Sequence, residues 1–352
     1  YSLRANLRFY PNDWINLGLN VSPIFSMRNI PLVGGGGRTN EFERSLGTIS
    51  MGSILVTCPI ANFDDVHIEC PGTLSYPNPL MALKSLEYKT EASRVIGSAF
   101  WEINLFSNVK FKSQFNADIF DNKTEVFRPS YIGTYRTPPP IKPRGRYEGD
   151  SYVNWLYENV FSFEKNTKNG VFDLIAGVSL QQHKQANSRF DGQEYPGDEV
   201  KTLNAAARIT GGVTREEWGM ISYFGRVNYE YRNKYFFTAS LRRDGSSRFG
   251  PRNRWGTFPA FALGWRLSEE GFLRGVNWID DLKLRFSWGE TGNNNIGNYD
   301  YISRVTSQNY VLGGGLASGR VVSSLGNDLL GWETTRETNL GLDVTLLNNR
   351  IN

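Results

Sequence analysis

The chain has 352 residues, with 39 basic and 35 acidic side chains for a formal net charge of +4, and only 39% of it is hydrophobic, with a mean hydropathy of −0.42. No stretch approaches the ~20 consecutive apolar residues of a spanning helix, so a helical membrane protein is excluded; a barrel is not, because half of each barrel strand and all of its outer loops can be polar. The near-balanced charge, with no basic run interleaved with stacking aromatics, gives no case for nucleic acid.

In chain order, Leu3, Ala5, Leu7 and Phe9 alternate with Arg4, Asn6 and Arg8, and a turn at residues 11–13 leads into Ile15, Leu17, Leu19 and Val21. That is a hairpin. From residue 23 to about residue 92 no sustained strand pattern is read; the stretch holds a glycine run at 34–37 and two candidate short helices, 45–56 and 79–86. Alternation resumes with Gly97, Ala99, Trp101, Ile103 and Leu105, turns at Ser107-Asn108, and returns through Val109, Phe111, Phe115, Ala117 and Ile119. Residues 122–150 read as a second long connection. Trp155, Tyr157, Phe161 and Phe163 then turn at 166–170 into Phe172, Leu174, Ala176, Val178 and Leu180, and residues 187–218 read as the next long loop.

Residues 223–288 carry four strands. In the first, Tyr223, Val227, Tyr229 and Tyr231 share one face, with Arg226, Asn228, Glu230 and Arg232 on the other; in the last, Leu282, Leu284, Phe286 and Trp288 oppose Lys283, Arg285 and Ser287. Period-two spacing is a strand signal, not a helical one. The connections between them are Asn233-Lys234, 244–256 and 268–280; a Gly- and Asn-rich stretch at 293–334 precedes a last strand through Leu340, Leu342, Val344 and Leu346, and a final turn falls at 347–350.

About eleven strands joined by alternating short and long connections match an antiparallel transmembrane β-barrel, with short turns on the periplasmic side and long loops outside the cell. At about 10 spanning residues per strand, only about a third of the chain is strand and most of it is extracellular loop. Tyr229, Tyr231, Tyr235, Phe236 and Phe237 crowd one tight turn, where a barrel places its interfacial aromatic girdle. Alternation alone leaves a large soluble β-protein open, because such a protein also hides one face of each strand.

Candidate chemistry is sparse. Cys58 and Cys70, the only cysteines, lie in the first long loop. A disulfide is the first reading in an oxidising compartment, and two unpaired thiols the alternative; with His67 they lack the spacing of a zinc site. His183 has no nucleophile beside it and reads as a wall or loop residue. The run Asp244 to Gly250 (DGSSRFG) lacks the ligand pattern of a calcium loop and the GK[ST] ending of a phosphate loop, so a structural role is expected. Glu216-Glu217, Glu269-Glu270 and Asp280-Asp281 are adjacent in sequence, diverge in direction and read as turn and rim charges. No set of residues assembles a nucleophile, a base and oxyanion donors, so no catalytic residue, metal or cofactor is assigned and an enzyme is not expected. Arg226, Asn228, Glu230, Arg232, Lys283 and Arg285 would face the barrel interior. The loop aromatics Tyr131, Tyr135, Tyr147, Trp218, Tyr299, Tyr301 and Tyr310 are the substrate-contact candidates, because flat rings stack on sugar faces and peptide side chains.

Several long blocks also carry a family resemblance. SYFGRVNYEYRNKYFFTASLRRDGSSRFG, WGTFPAFALGWRLSEEGFL, LKLRFSWGETGNNNIGNY and WETTRETNLGLDVTLLNNRI resemble, in order, the consecutive signatures of SusC/RagA-type TonB-dependent outer-membrane transporters. A weaker likeness through NPLMALKSLEYKTEASRVIGSAFWEINL and FKSQFNADIF extends it to nearly the whole chain. The resemblance implies that residues 1–352 are part of one barrel domain, of the plugged kind with ~22 strands. The signal peptide, TonB-contacting segment and plug would lie upstream and further strands downstream, and a piece with two open edges would not be stable alone. It also implies energised import of an oligosaccharide or peptide across the outer membrane of a Gram-negative, Bacteroidetes-like cell. A SusD-like surface lipoprotein, the TonB complex and outer-membrane lipid would be the partners, and the plug would pack against the interior residues named above. A passive porin or surface-adhesin barrel is the alternative.

Overall fold

The computed structural model describes residues 1–29, 67–68, 76–77, 85–132, 139–273, 275–276, 278–348 and 350–351. Cys58, Cys70, Tyr135, the glycine run at 34–37 and the candidate helix at 45–56 lie outside the described residues, as do residues 79–84 of the candidate helix at 79–86.

Fifteen strands are described: β1 (Ala5–Asn12), β2 (Ile15–Asn29), β3 (His67–Ile68), β4 (Tyr76–Pro77), β5 (Glu87–Phe106), β6 (Val109–Arg128), β7 (Arg144–Thr167), β8 (Gly170–Gln193), β9 (Arg208–Tyr231), β10 (Tyr235–Ser246), β11 (Trp255–Arg266), β12 (Ile279–Asn293), β13 (Arg304–Leu312), β14 (Gly315–Ser324) and β15 (Glu333–Leu346). Eleven of them form one antiparallel meander in the order β1-β2-β5-β6-β7-β8-β9-β10-β11-β12-β15, open at β1 and β15; β3 with β4 and β13 with β14 form separate pairs.

The register turns the sequence alternation into two chemically distinct faces. Phe172, Tyr229, Phe237, Leu263, Phe286 and Leu340 stand opposite one another in a single row across six strands. One residue along, the next row reads Val171, Glu230, Phe236, Gly264, Arg285 and Gly341 and points to the other side. The apolar face is open: Trp101, Phe161, Phe237, Leu263 and Leu340 keep 40%, 51%, 42%, 48% and 75% of their surface exposed. Water would oppose a patch of that size, and hydrocarbon solvates it. The buried hydrophobic residues of the described chain, among them Val126, Phe127, Ile132, Tyr195, Phe249 and Phe258, gather instead at the end of the strands that carries the long connections.

Short connections occupy the other end. The turn at Arg232 and Asn233 has φ of 53° and 56° and closes with Lys234 N–H donating to the Tyr231 carbonyl at 3.0 Å, so both central residues are left-handed. That geometry matches the right-handed twist of the flanking strands. It also removes Arg232 from strand β9, where the alternation had placed it facing inward.

The strands run well past the expected boundaries. β6 continues to Arg128, β7 begins at Arg144, β8 continues to Gln193 and β9 begins at Arg208. The expected loops 122–150 and 187–218 therefore shrink to 129–143 and 194–207. β2 and β5 likewise extend into the first long connection, and 293–334 contains the β13–β14 hairpin. More than half of the chain is strand, not a third. The cause is solvent. β7, β8 and β9 have 24 residues each, ~80 Å at strand rise, whereas a bilayer needs about 10 residues. Above the bilayer both faces meet water, so segments such as RGRYEGDS and QANSRFDGQ pair without alternating.

Candidate functional site

The polar face of the meander is the surface a barrel turns toward its interior. Near the short-turn end it is basic. The Lys283 ammonium lies 4.1 Å from the Phe236 ring centroid, and the Arg266 guanidinium is 5.5 Å from the same ring. Arg285 pairs with Asp343 at 2.7 Å across β12 and β15, and Thr238 donates to the Asn228 amide oxygen at 3.0 Å. Arg226 and Glu230 follow on this face of β9, while Arg232 sits in the turn over the Tyr231 ring.

Toward the long-connection end the lining becomes aromatic and amide-rich. Phe120, Tyr152, His183 and Trp218, one from each of β6 to β9, form a ladder with centroid spacings of 5.1, 5.6 and 5.7 Å and interplanar angles of 27°, 32° and 22°. Arg248 ends the ladder, its guanidinium 5.0 Å from the Trp218 ring. Beside it Arg94 grips Asp118 with two hydrogen bonds of 2.8 and 2.6 Å, and Tyr152 donates to the same carboxylate at 3.4 Å. Gln181 and Asn154, and Gln185 and Asp150, bond across β7 and β8 at 3.4 and 3.2 Å. Such a wall offers ring edges, amides and hydroxyls to a polar solute with little unpaired charge. Of its rings only Trp218 is picked out by sequence reasoning. Phe120 and Tyr152 are missed, and His183, read as a wall or loop residue and found in β8, is not linked to them: their spacing in the chain, over three different strands, reveals nothing of their adjacency, and pairing registers alone reveal it.

The DGSSRFG run holds the rim together. Phe249 and Ser246 are fully buried, and Trp332 packs on both Phe249 and Phe258 at 5.3 Å while donating its indole N–H to the Arg254 carbonyl at 3.0 Å. Arg248 donates to the Asn298 amide oxygen at 3.1 Å and to the Asn294 carbonyl at 3.2 Å, and Asn294 donates to Ser246 Oγ at 3.1 Å. The tip of the β10–β11 hairpin is thus tied to the TGNNNIGNY segment after β12. The expected structural role of the run agrees with these contacts.

The nominated aromatics disperse. Tyr147 is not in a loop but in β7, on the same side as Trp155 and Phe161, away from the polar face. Trp218 is likewise in a strand, β9, and belongs to the ladder. Tyr299, with φ of 67°, uses its hydroxyl on the Glu217 backbone, accepting from N–H at 3.3 Å and donating to C=O at 3.2 Å on the edge of β9 left open past its last pair with β10, Ser246 opposite Met220. Tyr301 packs by Gly250, Tyr131 is 39% exposed at the end of β6, and Tyr310 stands on the β13–β14 hairpin at 47% exposure.

Comparison with known proteins fits this geometry. Residues 77–352 match the family model described as TonB dependent receptor-like, beta-barrel. The chain is 34% identical over 292 residues to the TonB-dependent receptor SusC of Bacteroides thetaiotaomicron, covering 78% of this chain and 27% of that protein. It is 33% identical over 255 residues to the TonB-dependent receptor P39 of Formosa agariphila, covering 71% and 24%. The fold superposes on the structure of the RagAB peptide transporter with a TM-score of 0.82 at 23% identity, over 99% of this chain and 39% of that one. The chain spans about a quarter of the length of the curated relatives it matches. An antiparallel meander with one lipid-compatible face, matched by the family model over most of its length, makes this chain a member of the TonB-dependent receptor-like β-barrel family.

Proposed function

We propose that the protein to which this wall belongs imports oligosaccharides or peptides across the outer membrane of a Gram-negative cell, driven by TonB and assisted by a SusD-like surface lipoprotein. The observation that carries the reading is the chemistry of the polar face: a stack of rings and paired amides near the long connections gives way to Lys283, Arg226 and Arg285 near the short turns. The first zone suits a polar oligomer entering from outside. The second suits a polypeptide plug held in the interior, and Arg226, Asn228, Glu230, Lys283 and Arg285 are its proposed contacts. The 34% identity to a protein named TonB-dependent receptor SusC supports the TonB requirement, and the SusC/RagA resemblance of the sequence blocks is the ground for the choice of partner. Tyr131, Tyr301 and Tyr310, near the long connections, remain proposed substrate contacts, whereas Tyr299 is assigned to capping β9. Uptake of a labelled oligosaccharide and peptide pool by cells with and without TonB tests the proposal. Loss of uptake with surface binding retained is expected; uptake unchanged without TonB, the behaviour of a passive pore, overturns it.

A further inference from the structure

The far rim of the polar face contains a buried charge with no counter-charge among the described residues. Arg128, at the end of β6, is 3% exposed. Its Nε donates to the Ile132 carbonyl at 2.8 Å, and its Nη2 is buried without a hydrogen-bond partner among the described residues. The residue directly opposite is Arg144 of β7; Gln193 and then Arg208 follow on β8 and β9 in the same row. Like charges directly opposed across a sheet are destabilising, and a buried guanidinium without an anion is costly. Burial, and after it the Arg144 charge, push Arg128 down to about 10.

Four described carboxylates at this end of the strands hold other partners. Asp191 holds Arg146 at 2.6 Å, Asp198 accepts from the Ser130 N–H and hydroxyl at 2.7 and 2.6 Å, Glu194 holds Lys142 at 3.1 Å and Glu87 holds Lys201. The sequence between residues 129 and 143 contains no Asp or Glu at all. The row Arg128–Arg144–Gln193–Arg208 therefore combines three forked guanidinium groups with one amide and contains no carboxylate, and guanidinium forks bind carboxylates and sulfates bidentately.

We propose that this row is an oxyanion site at the rim, seating a sulfate ester or carboxylate between Arg128 and Arg144 with Arg208 at its open side. The site rests on the proposed import only for its role, as a seat for an acidic substituent of the imported oligomer. Its existence is independent of TonB.

Two arms test it on the full-length protein. Crystals grown with selenate should show an anomalous peak within hydrogen-bond reach of Arg144 and Arg128. No peak there, or an Asp or Glu from elsewhere in the chain seated on Arg128, overturns the site. In solution, calorimetry with a sulfated disaccharide and with its unsulfated parent separates an anionic substituent from the sugar itself, and free sulfate as competitor measures the inorganic ion. Arg144→Gln, half-exposed and safer for folding than Arg128→Gln, should weaken the sulfated probe at least tenfold and leave TonB-dependent uptake of a neutral substrate unchanged. Equal binding by wild type and Arg144→Gln, or equal binding of both disaccharides, counts against it.

Discussion

Replacing Phe249 by Ala isolates the contribution of the rim knot. The Phe249 ring is fully buried, touches Trp332 at 5.3 Å and sits between the β10–β11 tip and the segment leading into β15. Truncating a buried Phe costs roughly 3–5 kcal/mol, from lost transfer energy and the cavity left behind. The strands below are held by their ladder and by lipid, so the cost should fall on the local opening of the knot and not on the barrel. An opening equilibrium shifted by that amount rises by roughly two to three and a half orders of magnitude. Hydrogen exchange with mass spectrometry on full-length protein in nanodiscs reads it at amides the knot protects: Ser246 N–H to the Arg254 carbonyl at 3.0 Å and Ser247 N–H to the Gly219 carbonyl at 2.9 Å. Strands β5 to β8 should exchange as in wild type. Tyr310→Ala, on an exposed hairpin, is the control and should change neither region. Wild-type protection at Ser246 and Ser247 in Phe249→Ala would refute the idea that this side chain closes the knot.

Other outcomes follow from particular contacts. Gly211, at φ of 152°, would bring a Cβ onto the Arg189 carbonyl, so Gly211→Ala should loosen the upper β8–β9 ladder, seen as faster exchange there with the lower strands unaffected. Glu270, in the connection before β12, is held below the ordinary value of 4.5, chiefly by the Tyr235 hydroxyl and then by the Trp265 indole and Lys234. A depressed carboxyl contributes stability that is full above 4.5 and fades as pH falls through its lower folded value, so the turn should begin to exchange faster in acid, and Glu270→Gln should erase that pH dependence. Cysteine introduced at Val200, 54% exposed between β8 and β9, should react with an impermeant reagent on intact cells, while cysteine at Lys168, in the short turn before β8, should not; the opposite pattern reverses the assigned sidedness.

The meander was legible in the sequence wherever lipid and interior impose different chemistry on alternate residues. Tyr223 to Tyr231 and Leu282 to Trp288 alternate visibly, and the eleven strands of the sheet stand where these patterns lie. The upper halves of β6 to β9 were illegible because water on both sides removes the period, leaving stretches that read as loop. The ladder of Phe120, Tyr152, His183 and Trp218 was illegible for a different reason. Its members are neighbours only through three registers, each fixed by pairing along whole strands. The knot sits between these extremes: the blocks DGSSRFG and TGNNNIGNY were visible as unusual runs, but nothing in either says that Arg248 and Asn294 reach across to the other.

Interior and exterior are distinguished by which face meets lipid, and paired spin labels at neighbouring positions measure that directly. Labels at Phe237 and Leu263 should be relaxed strongly by oxygen dissolved in the bilayer and weakly by a water-soluble nickel chelate, whereas labels at Thr238 and Ala262 should resist oxygen. Oxygen sensitivity at Thr238 and Ala262, with Phe237 and Leu263 shielded, would place the polar face in lipid and contradict the structure's assignment of interior and exterior.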